Sequence, residues 1–326
     1  MNSQQVGVNL VSQSNKNKIG LKMLGEQKIF CALVTPFLED SSIDWSGLGK
    51  ILSLQNSYGN GILLFGSTGE GMSLARKEKI QILDFVFSNN INVPIVVNIE
   101  SSHQEEVLSF IELMNNWPID AMMAVVPPYM KPGIHGQIDW FSKILETSTK
   151  PIIIYNNPSR SCTALHPEVV SHFSKHPNFY GIKESTNSFS KMLEFVKAAP
   201  NKTILCGDDP NIINWSVGGQ NGPIKGLMSV LANAWPNEMK DLVEKLLSNN
   251  SCPLGLDTDQ LIAYDQLANS LFPATSSNPT VIKNYMFQKN LISTPVLRSP
   301  LSHKDFQQIS FLDWEKRLGW DMLFKQ

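Results

Sequence analysis

The chain has 326 residues, 42% of them hydrophobic and 17% charged, with a formal net charge of −2 and an isoelectric point near 6.3. That is enough apolar material for one large core or two small ones, and with no basic block or basic stretch interleaved with aromatics it argues against nucleic acid as a partner. Cys31, Cys162, Cys206 and Cys252 stand far apart with no CxxC pair. This spacing offers neither a disulfide framework nor a zinc site, fits a reducing cytoplasm, and goes with the lack of any apolar run near the ~20 residues of a membrane span.

Residues 1–27 are rich in Asn, Gln, Ser and Lys and lack the apolar core of a signal peptide, so they read as a flexible extension. Short apolar runs then recur at 29–37, 60–67, 93–100, 120–128, 150–158, 179–185, 202–208 and 223–230. Most gaps between them carry helical spacing, as in 74–88, 103–116 and 188–199. Near-continuous apolar strands alternating with helices predict a parallel sheet buried on both faces. Closing it gives an α/β fold, a (β/α)8 TIM barrel over 28–234, with 235–326 forming C-terminal helices packed on it; an open doubly wound sheet is the alternative. The C-terminal helices are expected over 238–248 and 259–272, followed by a polar helical tail ending near Trp320.

A barrel requires its chemistry at the C-terminal ends of the strands. Unusual polar residues gather there: Gly66-Ser67-Thr68-Gly69-Glu70 after the second run, Pro127-Pro128-Tyr129 after the fourth, Tyr155 to Arg160 after the fifth, Lys183-Glu184-Ser185 after the sixth, and Gly207-Asp208-Asp209 after the seventh. Lys183 stands out because it ends a strand that is otherwise apolar. An amine attacks a ketone only when unprotonated, and taking water from an ammonium favours the neutral form, so a lysine at a barrel mouth suits a nucleophile. A structural lysine neutralised by Glu184 is the plainer reading, but adjacent strand residues point to opposite faces.

GSTGE, YNNPSR, GIKES and CGDD, in that order and at these distances, resemble the pyruvate-dependent class I aldolase family, which includes N-acetylneuraminate lyase and dihydrodipicolinate synthase. The resemblance covers about residues 28 to 305, and Arg160 with the Gly-Asp-Asp looks like the dihydrodipicolinate synthase branch. It implies an imine between Lys183 and pyruvate, and addition of the resulting enamine to L-aspartate 4-semialdehyde, with no cofactor and no metal. It gives Tyr155 a proton-relay role, shared with the hydroxyl of Ser67 and with Tyr129. In the family that second tyrosine comes from a neighbouring subunit, so Tyr129 implies a homo-oligomer, a dimer or dimer of dimers. It further implies that Ser67 and Thr68 hold the pyruvate carboxylate, that Arg160 grips the carboxylate of the semialdehyde, and that Gly207 and Met228 line the pyruvate pocket through backbone contacts.

Other readings are weaker. GILLFGST nearly spells a P-loop, but Ser67 stands where the lysine belongs. Asp208-Asp209 invites Mg2+ in a metal-dependent aldolase without a matching ligand set, and His172 with His176 in HFSKH lacks the zincin glutamate. Another Schiff-base aldolase, N-acetylneuraminate lyase-like or acting on a 2-keto-3-deoxy sugar acid, remains open, as does a non-catalytic 2-oxo acid sensor, although a sensor predicts a spoiled lysine or tyrosine. In lysine-sensitive relatives the end product binds at a dimer-interface site. Here its positions read Met72, Arg76 and Lys79, then Ser102 and Glu106, then Pro128, which predicts weak lysine feedback or none.

Overall fold

The computed structural model describes residues 24–248, 256–273, 276–306 and 311–320. Eight strands, β1 (Ile29–Ala32), β2 (Gly61–Leu64), β3 (Ile95–Asn98), β4 (Ala121–Val125), β5 (Ile152–Asn156), β6 (Phe179–Glu184), β7 (Thr203–Cys206) and β8 (Gly226–Ser229), each fall inside one of the eight apolar runs. All neighbours are parallel, and β8 pairs with β1 to close the barrel. The open-sheet alternative is thereby set aside.

Strand side chains alternate, and the alternation sorts the runs into two cores. Ile62, Leu64, Val97, Met122, Ile154, Ile182, Ile204 and Leu227 point outward under the helices. Phe30, Leu63, Val96, Met123, Ile153, Leu205 and Met228 point inward and fill the barrel, joined by Tyr155 and, from before β1, by the buried Leu24. Tyr180 donates its hydroxyl to the Leu24 carbonyl at 3.2 Å, which ties this segment to β6. The remainder of the expected N-terminal extension, residues 1–23, lies outside the described residues.

The helices α1 (Trp45–Tyr58), α2 (Arg76–Ser88), α3 (Gln104–Met114), α4 (Ile134–Thr147), α5 (Pro167–Phe173) and α6 (Phe189–Ala198) follow β1 to β6 in turn. The Asp44 carboxylate starts α1 by accepting from the Gly47 N–H at 2.8 Å, and Gly59 ends it in the left-handed conformation at φ 70°. After β7 come three short turns, Asp209–Asn211, Ile212–Trp215 and Gly219–Asn221, and α7 (Pro236–Ser248) follows β8. Among the described residues no helix is long and apolar enough to cross a membrane.

Beyond the barrel, α8 (Thr258–Ser270) and α10 (Leu312–Leu318) match the expected C-terminal segments. A further helix, α9 (Asn278–Gln288), was not anticipated. Its sequence signal is Pro279 in the first turn, where the missing N–H is harmless, followed by Val281, Ile282, Tyr285 and Met286, all buried. The face is anchored by Trp235, stacked on Tyr285 with ring centroids 4.3 Å apart. Lys283, fully buried, donates to Glu70 Oε1 at 2.5 Å and to the Val296 carbonyl at 3.0 Å. The ion pair joins α9 to the turn after β2.

Candidate active site

Parity places Lys183 on the inner face of β6, one residue after the outward Ile182, and register pairs it with Tyr155 on β5. Both side chains are buried, with the Lys183 ammonium nitrogen 4.4 Å from the centre of the Tyr155 ring. Glu184 points the other way, where its carboxylate accepts from Asn156 Nδ2 at 2.6 Å and from the Thr186 N–H at 2.8 Å. It is therefore not the counter-ion of Lys183. Burial pushes the Glu184 carboxyl up, and these donors oppose the shift. The Tyr155 oxygen accepts from Asn157 Nδ2 at 2.7 Å, which leaves the phenol's own proton free to donate.

The turn after β2 coils tightly over the barrel mouth. Phe65 and Glu70 take left-handed conformations at φ 62° and 52°, and a Cβ on Gly71 would lie 1.8 Å from the Phe65 carbonyl oxygen. The turn brings Ser67 and Thr68 to the cavity wall; Thr68 is buried and its hydroxyl accepts from Asn278 Nδ2 at 3.3 Å. After β7, Gly207 passes so close that a Cβ there would meet Ser185 Oγ at 2.0 Å and Lys183 Cε at 3.1 Å. A side chain at that position would obstruct the nucleophile. Arg160, in the short turn Pro158–Ser161, donates to Ser277 Oγ at 3.1 Å.

The two acids after β7 diverge. Asp209 is fully buried and accepts from Ser229 Oγ at 2.5 Å and the Val230 N–H at 2.8 Å, fastening the end of β8. Burial pushes its carboxyl up to about 6 against these donors. Asp208 faces the cavity instead, its carboxyl raised by burial and drawn back by Lys183, the Ser185 hydroxyl and Arg160. Adjacent carboxylates turned to different sides do not make a joint Mg2+ site.

These groups enclose a cavity of about 840 Å³ whose wall includes Ser67, Thr68, Tyr155, Arg160, Lys183 and Gly207. Met228 is fully buried on β8 in the inner core that contains Tyr155, and Val230 forms the cavity wall at that end. Tyr129 stands apart, 88% exposed on the β4 loop at φ 72°. Ser276, Ser277 and Asn278 complete the wall from the C-terminal extension. Sequence reasoning missed them because a polar stretch before a helix looks like any N-cap, and only packing brings it to the barrel mouth.

The profile of the dihydrodipicolinate synthetase family matches residues 26–311. A protein from Chlamydia muridarum, named 4-hydroxy-tetrahydrodipicolinate synthase, is 39% identical over 280 residues, covering 86% of this chain and 91% of its own length. One of the same name from Wolbachia pipientis is 34% identical, over 90% of this chain and 97% of its own. Among solved structures, the dihydrodipicolinate synthase of Acinetobacter baumannii complexed with pyruvate superposes with a TM-score of 0.77 at 25% identity, covering 90% of this chain and 99% of that one. The 4-hydroxy-tetrahydrodipicolinate synthase of Methylacidiphilum fumariolicum gives 0.78 at 25% identity, over 90% and 95% of the two chains. With a closed barrel, a lysine inside its mouth and relatives of one name matching over nearly their whole length, this chain belongs to the dihydrodipicolinate synthetase family.

Proposed function

We propose that the chain is a 4-hydroxy-tetrahydrodipicolinate synthase that condenses pyruvate with L-aspartate 4-semialdehyde through an imine on Lys183. The observation that carries this reading is the 4.4 Å approach of the Lys183 nitrogen to the Tyr155 ring at the base of a cavity walled by Ser67, Thr68 and Arg160. The Lys183 nitrogen attacks the pyruvate ketone, water leaves, and the protonated imine draws electrons so that a methyl proton departs to give the enamine. Tyr155, with its phenol proton free, carries protons between the reacting atoms and solvent. Ser67 and Thr68 receive the pyruvate carboxylate on their hydroxyls and the N–H groups of the turn. Arg160 offers a planar fork to the carboxylate of the aldehyde. The enamine carbon adds to the aldehyde, and ring closure frees Lys183.

The exposure of Tyr129 supports its being lent to a neighbouring subunit, so the working form is a homo-oligomer, acting in the cytoplasm. Borohydride added with pyruvate is expected to inactivate the enzyme and leave one reduced pyruvate on the peptide containing Lys183, while EDTA leaves turnover unchanged. A label elsewhere, or loss of activity to EDTA, overturns the mechanism. A panel of aldehydes assayed with pyruvate tests the second substrate.

A further inference from the structure

Two successive asparagines close β5 and spend their side chains on opposite sides of it. Asn156 donates to Glu184 Oε2 at 2.6 Å on the outer face, while Asn157 donates through Nδ2 to the Tyr155 oxygen at 2.7 Å. Asn157 stands where the short turn Pro158–Ser161 begins, a position at which an asparagine side chain ordinarily caps the turn. Here it makes no such bond. The Asn157 carbonyl accepts from the Ser161 N–H at 3.0 Å and from Ser161 Oγ at 2.9 Å, which holds the backbone and leaves the amide for the phenol. Ser159 Oγ donates to Asn157 Oδ1 at 2.6 Å, so the amide presents its N–H end to Tyr155. Both side chains are buried on the cavity wall, 5% and 4% exposed, where a hydrogen bond carries more weight than in water.

Resting on the reading above, we propose that Asn157 is a positioning residue that holds the Tyr155 oxygen while it gives up and recovers its proton. When the C–O bond of the neutral adduct between Lys183 and pyruvate breaks, Tyr155 gives its proton to the departing hydroxyl. Water leaves, and a protonated imine and a phenolate remain. The phenolate then takes a methyl proton: the C–H bond breaks, its electron pair forms the carbon–carbon double bond of the enamine, the C=N pair returns to nitrogen, and the phenol is restored. One proton leaves the oxygen and one comes back. The Asn157 amide donates to that oxygen throughout, and a hydrogen bond to a charged acceptor is roughly twice as strong as one to a neutral acceptor. The amide therefore stabilises the phenolate more than the resting phenol.

The test places Asn157→Leu, which keeps the volume and removes the donor, in the parent enzyme and in Tyr155→Phe. In the parent, kcat is expected to fall by about 10- to 10²-fold, the worth of one hydrogen bond to a charged group, with KM for pyruvate and for the semialdehyde unchanged. In the Tyr155→Phe background, where no phenol oxygen is left to hold, the same change is expected to cost less than about twofold. A similar loss in both backgrounds, or a rise in KM with kcat unchanged, overturns the assignment, because a merely structural role for the turn does not depend on the phenol. A parent enzyme that leaves no reduced pyruvate on Lys183 after borohydride brings down the imine mechanism itself, a result distinct from the loss pattern of these variants. Asn157→Asp, nearly identical in shape, gives an independent answer should the leucine variant not fold. Its carboxylate only accepts, so kcat is expected to fall at least about 10-fold, and an aspartate variant that turns over at the parent rate overturns the proposal.

Discussion

Lys183 and Tyr155 meet because inward positions on two paired strands fall opposite each other, and nothing else in the chain is needed to bring them together. Gly207 leaves room for the lysine stem, and the side-chain amide of Asn157 holds the phenol oxygen. Two substitutions separate the roles. Tyr155→Phe is expected to lower kcat by roughly 10²- to 10⁴-fold, the usual worth of a positioned proton-transfer group. Arg160→Ala is expected to raise KM for the semialdehyde while pyruvate trapping by borohydride stays near the parent level. Steady-state kinetics beside trapping yields decide the matter, and equal loss of trapping in both variants contradicts the division.

At the scale of elements, α9 is the part that ties the C-terminal extension to the barrel mouth. It supplies Asn278 to Thr68 and Lys283 to Glu70, and Arg160 reaches back to Ser277. Burial pulls the Lys283 ammonium down to about 8, and the Glu70 carboxylate opposes that shift. Glu70 also accepts from the Arg298 N–H at 2.8 Å. Removing one member of a fully buried pair leaves the other as an uncompensated charge. Lys283→Met is therefore expected to destabilise the fold by about 3–5 kcal/mol in urea unfolding, and adding Glu70→Gln to recover much of the loss. A double variant no more stable than Lys283→Met contradicts the pairing as the cause.

Over the whole molecule, a second pocket of about 300 Å³ opens between α2 and α3, lined by Met72, Arg76, Lys79, Glu100, Ser101 and Glu106 among others. It gathers Met72, Arg76, Lys79 and Glu106, four of the six positions that the family resemblance links to end-product binding. Lys79 lies 5.9 Å from the Phe65 ring centre and 5.8 Å from that of Phe110, with Arg76 also over Phe110 at 5.6 Å. Burial pushes the Lys79 ammonium down, which Glu100 opposes. A second ammonium entering this space meets two cations, and like charges ~4 Å apart repel by ~1 kcal/mol even in bulk water. Glu106 accepts from Ser101 Oγ at 2.9 Å through one oxygen, which leaves its carboxylate acceptor sites for an ammonium, so the expectation rests on the two cations. L-lysine titrated to tens of millimolar at saturating substrates is expected to inhibit weakly or not at all. Half-inhibition below about 1 mM, a binding free energy near −4 kcal/mol, contradicts that expectation.

The barrel, its strand order and the inward direction of Lys183 and Tyr155 were legible in the chain because they rest on local regularities. Apolar runs mark strands, 3.6-residue spacing marks helices, and alternation sets which face a residue takes. Ser67, Thr68, Arg160 and Gly207 stand at strand ends, where a barrel concentrates its polar groups, and their roles came only from the family resemblance. The depth of Met228, the exposure of Tyr129 and the arrival of Asn278 and Lys283 were not legible. Asn278 touches Thr68 across 210 residues and Lys283 touches Glu70 across 213, and no short-range pattern encodes a contact between segments so far apart. The same holds for the parting of Asp208 from Asp209. Identical side chains side by side in sequence acquire different environments only when β8 offers donors to one and the cavity receives the other.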